Sequence, residues 1–289
     1  MNNPVFKLLE NLGVCSLEEL SSYHPTVRDT PDISVLQCRN TEALFLSDKA
    51  PKKNYSTLLD YWKVDSVDKI LDINFEDDNR RFNQYKRYAA KRRYMDVGSG
   101  VGGVLSLFST VASEVVSVEP GPSREYLVDK GFKVYTDIDD AEEEGYDFIS
   151  LFHVFEHLED PIGMLFSIHK KLAPKGRAIL EVPHAKDFLL SFLNCESFKK
   201  FTFWSDHLVL HTRQTLQAIL RETPFSNSYT IESYQRHPVS NHLYWLSKGK
   251  PGGHKRWDFL SSNALDEHYS KALYSIDASD TLIINLYKE

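Results

Sequence analysis

Between Arg92 and Ser109 the chain reads RRYMDVGSGVGGVLSLFS, and the residues there that could bind a ligand are Asp96, Gly98, Ser99, Gly100 and Gly102. Glycines so spaced let the backbone take φ > 0 and touch a ligand, whose polar groups meet the free N–H groups of a helix start. Such a turn suits a nucleotide-containing cofactor. Two patterns fit. Gly98, Gly100 and Gly103 satisfy the dinucleotide fingerprint G-x-G-x-x-G, while Asp96, Gly98, Gly100 and Gly102 satisfy the acidic-x-G-x-G-x-G pattern of S-adenosylmethionine sites. Asp96 favours the second, because a carboxylate two residues before the first glycine repels a pyrophosphate but attracts the ammonium of a phosphate-free donor. The alternatives are a non-catalytic subunit that only binds such a donor and, behind it, an NAD-dependent oxidoreductase.

Further reactive types recur where apolar runs end. Glu119-Pro120 follows EVVSV about 20 residues beyond the glycines, where a carboxylate holds a ribose diol. Asp137-Ile138 follows a third run and offers a carboxylate and an apolar side to an adenine ring. His153 closes YDFISLF, His184 closes RAILEVP, and His207 lies in a long insertion. Histidine is the natural base near neutral pH, so His153, His184 and His207, with Glu156, are the candidate bases for an acceptor hydroxyl or acidic carbon. Each has the alternative role of a structural hydrogen-bonding side chain.

The elements that must position these residues read as α/β. Strands are expected at Tyr94–Val97, Glu114–Val118, Phe132–Thr136, Tyr146–Phe152, Arg177–Val182, Tyr229–Tyr234 and Thr281–Tyr287. Helices are expected at Ser123–Lys130, Phe155–Leu172 and Thr212–Glu222, between strands. Near-continuous apolar runs such as YDFISLF belong to parallel strands covered on both faces. In a doubly wound sheet the strand carboxyl ends, and therefore His153 and His184, border the ligand cleft.

DVGSGVGG, then VEP, then FHVFEHLEDP, at these separations, resembles the class I S-adenosylmethionine-dependent methyltransferases, over about residues 80–225. The H-x-x-E-H-x-x-D-P run is most similar to the branch that methylates sugars and small metabolites in surface polysaccharide biosynthesis. The resemblance implies a Rossmann-like seven-stranded sheet with the last strand antiparallel, and S-adenosylmethionine as cofactor. It places the donor's methionyl end at Asp96, Gly98, Ser99, Gly100 and Gly102, and its ribose at Glu119-Pro120. The adenine and sulfonium surroundings fall around Asp137, Ile138, Phe152 and His153. It also implies that a helix over Asp77–Lys91 caps the pocket, so that Arg81, Gln84 and Tyr85 reach the donor's carboxylate; packing alone is the alternative for that helix. Its acidic start and basic end suit the helix dipole.

His153, Glu156 and His157 also match H-x-x-E-H, a zinc-protease signature. That signature needs one helix, whereas here His153 ends a strand, and no third ligand suggests itself nearby. His207 and His211 lack a further ligand set, and Cys38 meets Thr41 where a zinc ribbon has its second cysteine, so no metal is expected.

At 289 residues the chain is one main domain with additions: 1–76 an N-terminal extension, 77–235 the cofactor-binding core, 236–280 an insertion, and 281–289 the final strand. Clustered aromatics fall at 55–64. Three cysteines without a C-x-x-C pair, and no signal or spanning segment, lead to an expected cytoplasmic protein with no membrane partner. A net charge of −7 argues against a nucleic-acid substrate. The acceptor is expected to be a small molecule, read by two insertions, 185–211 and 236–280. The second gathers Arg236, Lys248, Lys250, Lys255 and Arg256 with Trp245 and Trp257, a composition suited to a phosphorylated or nucleotide-linked sugar under a lid.

Overall fold

Successive residues of the central strands are apolar in both directions, so both faces must be covered. A computed structural model, describing residues 1–49, 58–142 and 144–289, shows how. The N-terminal part holds α1 (Pro4–Asn11), β1 (Leu20–His24), β2 (Val35–Cys38), β3 (Leu44–Leu46), α2 (Leu58–Trp62) and α3 (Val67–Ala89). Of the aromatic cluster at 55–64, residues 55–57 lie outside the described residues. The core begins with β4 (Arg93–Val97), α4 (Gly103–Phe108), β5 (Glu114–Val118), α5 (Ser123–Asp129), β6 (Lys133–Tyr135), β7 (Tyr146–Phe152), α6 (Pro161–Lys171) and β8 (Leu172–Pro183). There follow α7 (Phe188–Ser191), α8 (Glu196–Thr202), β9 (Val209–Leu210), α9 (Arg213–Arg221), β10 (Tyr229–Tyr234), α10 (Val239–Lys248), α11 (Gly253–Arg256), α12 (Asn263–Ser275) and β11 (Thr281–Tyr287).

The main sheet has the order β10-β11-β8-β7-β4-β5-β6. Strands β6, β5, β4, β7 and β8 are parallel, and β11 is antiparallel to both β8 and β10, pairing Thr281–Tyr287 with Arg177–Pro183. The seven-stranded α/β fold with its antiparallel last strand is the expected one. The order reverses at β4 and β7, which puts the cleft at the carboxyl ends of those two strands.

Alternate residues divide the core in two. Met95, Ile149 and Leu180 pack with α1, α6 and α9 on one face, while Tyr94, Phe148 and Ile179 pack with α3, α4 and α5 on the other. Tyr94 lies 4.4 Å from Phe108 and stacks on Phe148 at 5.2 Å between ring centroids. Burying each such side chain is worth roughly 1.5–3 kcal/mol.

Three elements depart from expectation. Helix α3 begins at Val67, capped by the Ser66 hydroxyl, so Asp77 and Asp78 sit in mid-helix instead of opening it. Helix α6 begins at Pro161, where Asp160 caps Gly163 N–H; residues 155–157 form a separate 3-10 turn instead of its first turn. A second, four-stranded antiparallel sheet, β1-β2-β3-β9, joins the N-terminal extension to the insertion after β8. Asn3 clasps it: Nδ2 donates to the carbonyls of Leu46 and Leu208, and Oδ1 accepts from Val5 and Phe6 N–H. Among the described residues no helix is long and apolar enough to cross a membrane.

Candidate functional site

Strand β4 ends in a turn whose glycines Gly98, Gly100 and Gly102 have φ of +77°, +53° and +75°. At Gly98 a Cβ would also overlap Val154, which leans over the turn from the end of β7. Glu119, buried at the end of β5, receives Gly100 N–H on Oε2 at 2.8 Å and Gly121 N–H on Oε1 at 2.7 Å. Burial raises its pKa and these two donors oppose the rise. The carboxylate is thereby fixed in orientation, and each oxygen retains a lone pair for a ribose hydroxyl. Ser99 Oγ donates to Asp96 O and accepts from Ser117 Oγ, while Pro120 is exposed.

Behind the turn two carboxyl groups and one guanidinium meet. Asp96 is buried, with Oδ1 accepting from Ser150 Oγ at 2.5 Å. Asp78 of α3 lies against Gly103. Burial pushes Asp96 up to about 6, against the Ser150 hydrogen bond, and burial together with the Asp96 charge pushes Asp78 up to about 7. Arg81 stands 3.6 Å from Asp78, donates Nε–H to Glu181 Oε2 at 2.9 Å, and lies 4.7 Å over the Phe152 ring. Its Nη2 is buried without a hydrogen-bond partner among the described residues. A guanidinium with one buried, unpartnered nitrogen beside two buried acids has the polarity to receive the carboxylate and ammonium of an amino acid.

Glu181 on β8 ties α3 to the sheet. Fully buried, it also accepts from both Nη atoms of Arg80 at 2.9 and 2.8 Å and from Tyr85 Oη at 3.2 Å. Burial alone would raise it, but Arg81 and Arg80 hold it at about 2. Tyr85 stacks on Phe152 at 5.9 Å, so Phe152 sits against both Arg81 and Tyr85. Gln84 Oε1 accepts from Arg80 Nη1.

The histidines converge beyond β7. His153 has φ of +57°, and its Nε2 accepts from Arg236 Nη1 at 2.9 Å, which leaves the ring proton on Nδ1, 3.4 Å from Glu156 Oε1. Burial and the Arg236 charge both lower its pKa. Glu156 is fully buried, and neither oxygen makes a hydrogen bond among the described residues. Burial would raise it; His153, His157 and His207 hold it at about 2. His157 Nδ1 donates to Asp206 O at 2.7 Å, and the His157 and His207 rings lie 4.9 Å apart. The expectation that no third ligand comes near Glu156 and His157 fails, because the loop from β8 to β9 folds His207 back onto them: Glu156, His157 and His207 each offer one ligand atom, all within 4.8 Å of one another.

His184 does not join this group. It is 1 % exposed, with Nδ1 donating to Ser279 O at 3.0 Å and Nε2 3.9 Å from Asp277. Asp137 is exposed and closes its own turn by accepting Asp139 N–H at 2.9 Å, whereas Ile138 is buried in the core. The sequence alone marks Arg236 only as one cation of the insertion and does not mark Asp78, Arg80 or Glu181. The acidic pair in α3 was read as a helix start, and nothing in RAILEV marks Glu181 as an ion-pair hub.

The profile described as a methyltransferase domain matches residues 39–229, and the chain belongs to that family. It is a class I domain whose cofactor is S-adenosylmethionine, so the dinucleotide alternative falls away. The chain is 23 % identical over 172 residues to the ubiquinone biosynthesis O-methyltransferase of Photobacterium profundum, covering 54 % of this chain and 72 % of that enzyme. A solved S-adenosylmethionine-dependent methyltransferase of Archaeoglobus fulgidus superposes with a TM-score of 0.50 at 17 % identity, covering 80 % of this chain and 97 % of that one. The phosphoethanolamine N-methyltransferase 2 of Haemonchus contortus is also similar, with a TM-score of 0.48 at 16 % identity over 73 % of this chain and 52 % of that one.

Proposed function

We propose that this protein transfers the methyl group of S-adenosylmethionine to a sugar or nucleotide-linked sugar. The observation that carries the donor site is the buried, unpartnered Nη2 of Arg81 beside Asp78 and Asp96 at the glycine turn. The donor supplies an electrophilic methyl carbon. Arg81 receives its carboxylate, Asp78 and Asp96 its ammonium, and Glu119 its ribose, with the half-buried Phe152 offering apolar surface.

The acceptor enters under the 236–280 lid. That segment turns exposed Lys248, Lys250, Lys255 and Arg256 to solvent, together with the half-buried Trp257, a surface that suits a phosphate and a ring. His153, directly after β7 and next to Val154 over the glycine turn, is the group that takes the acceptor's proton once its Nε2 is released by Arg236. The three free, buried cysteines suit a reducing cytoplasm.

The test offers labelled S-adenosylmethionine and a panel of nucleotide sugars, with product masses read by mass spectrometry. A methylated sugar is the expected product. Transfer to non-sugar acceptors alone would overturn the acceptor assignment, and undiminished donor affinity in both Arg81→Ala and Glu119→Ala would overturn the donor site.

A further inference from the structure

Glu156 presents an unusual local chemistry. A fully buried carboxylate whose oxygens accept no hydrogen bond is costly unless a cation meets it. No lysine or arginine reaches it among the described ion pairs; imidazoles surround it instead. His157 gives its Nδ1 proton to the Asp206 carbonyl, so Nε2 carries a bare lone pair, and this carbonyl-anchored imidazole is the arrangement by which proteins orient a metal-ligating histidine. His207 Nδ1 is buried and has no hydrogen-bond partner among the described residues.

We propose that Glu156, His157 and His207 bind a divalent first-row transition-metal ion, of which zinc is the natural case. Two imidazoles and one carboxylate are a borderline-soft donor set, and three protein ligands leave a further coordination position open. At metal–ligand bonds of about 2.0–2.1 Å, tetrahedral ligand atoms stand roughly 3.3 Å apart, so atoms already within 4.8 Å close on an ion by small side-chain rotations. The site lies directly after β7, two residues beyond Val154, which covers the glycine turn. An oxygen of the acceptor in the open position would therefore be held near the donor. That role rests on the methyl-transfer reading, whereas the binding of the ion does not.

The experiment treats the full chain with chelator, titrates Co²⁺ as a visible-absorbing probe, and measures S-adenosylmethionine binding on the same samples by calorimetry. One equivalent of Co²⁺ should produce a ligand-field band that Zn²⁺ displaces. Glu156→Gln and His207→Ala should each weaken Co²⁺ binding by more than about 100-fold while donor affinity is kept. Absence of the band in wild-type protein, or its persistence in both variants, overturns the site. Should a variant fail to fold, ring ¹⁵N spectra of wild-type protein decide: Zn²⁺ shifts two histidines if the site is real, and none if it is not. Loss of donor binding with the band intact would instead count against the methyl-transfer reading alone.

Discussion

Arg236 donates Nη1–H to Nε2 of His153 across 2.9 Å, and so joins the start of the 236–280 segment to the end of β7. The same guanidinium pairs with Asp77 of α3, and the backbone N–H of Arg236 donates to both oxygens of Asp280 at 3.0 Å. Burial would raise the Asp77 carboxyl, but Arg236 and Arg81 hold it far below the usual range. One side chain thus holds the 236–280 segment, α3 and the end of β7 together. Arg236→Ala should lower stability by about 3 kcal/mol by leaving Asp77 short of its partner. It should also speed amide exchange across Val239–Ser275; exchange unchanged there would refute the tether.

Donor affinity should depend on pH through Asp78 and Asp96. In the proposed donor site both are anionic when they hold the ammonium, and burial pushes them up to about 7 and about 6. Affinity should fall as pH drops from 8 to 5.5, by roughly tenfold for each carboxylate neutralised. Stability of the free protein runs the other way. A carboxyl whose folded pKa is raised contributes stability that is complete below its unfolded value and lost as pH climbs through the folded one. Asp187, pushed up to about 8 by burial and the Asp280 charge, adds to this trend, so the melting temperature should fall between about pH 6.5 and 8, above the range in which His184, His207, His211, His237 and His242, all lowered by burial, make it rise. Asp78→Asn should flatten the upper part of both curves, and calorimetry across the range checks it.

The glycine turn should tolerate no side chain. At Gly102, φ is +75° and a Cβ would stand 2.6 Å from Leu127 Cδ2. Gly102→Ala should cost about 1–2 kcal/mol for the left-handed backbone alone, with displacement of Leu127 added to that. Gly98→Ala should match this loss and also abolish donor binding, since Val154 must move. Denaturant melts read the first effect and calorimetry the second.

Glu181→Gln removes the charge shared by Arg80 and Arg81 while leaving shape intact. A buried pair broken on one side costs about 3–5 kcal/mol, and α3 should loosen from the sheet. The diagnostic readout is donor affinity, which should drop with the misplacement of Arg81. A variant that melts normally and binds the donor normally would show that Glu181 is no hub.

The seven-stranded sheet and its glycine turn were legible because the signals are local: strand runs such as EVVSV and TLIINLY coincide with β5 and β11 to the residue. Asp96 and Glu119 followed from the turn. The remainder depends on encounters between distant segments. Strands β1, β2, β3 and β9 are two to five residues long, too short to show a period, and β3 meets β9 only where Leu44 and Phe45 reach Leu210 and Val209. Glu181 reads as one strand residue among others until Arg80 and Arg81 arrive from α3. His207 was noted without company because its partners, Glu156 and His157, lie some fifty residues earlier.

The clasp made by Asn3 also bears on the order in which the chain can fold. Its amide bridges the Leu46 and Leu208 carbonyls, the latter 205 residues away, so the small sheet cannot finish until most of the chain is available. Contacts of such long range form after local ones, because closing the loop costs entropy first. The Rossmann-like core can therefore assemble early with its glycine turn intact, whereas His207, one residue before the clasped Leu208, takes its place only when the N-terminal extension has met the segment ahead of β9. Donor recognition should mature before the histidine cluster during refolding, and a chain stalled between the two would hold its cofactor without a completed centre.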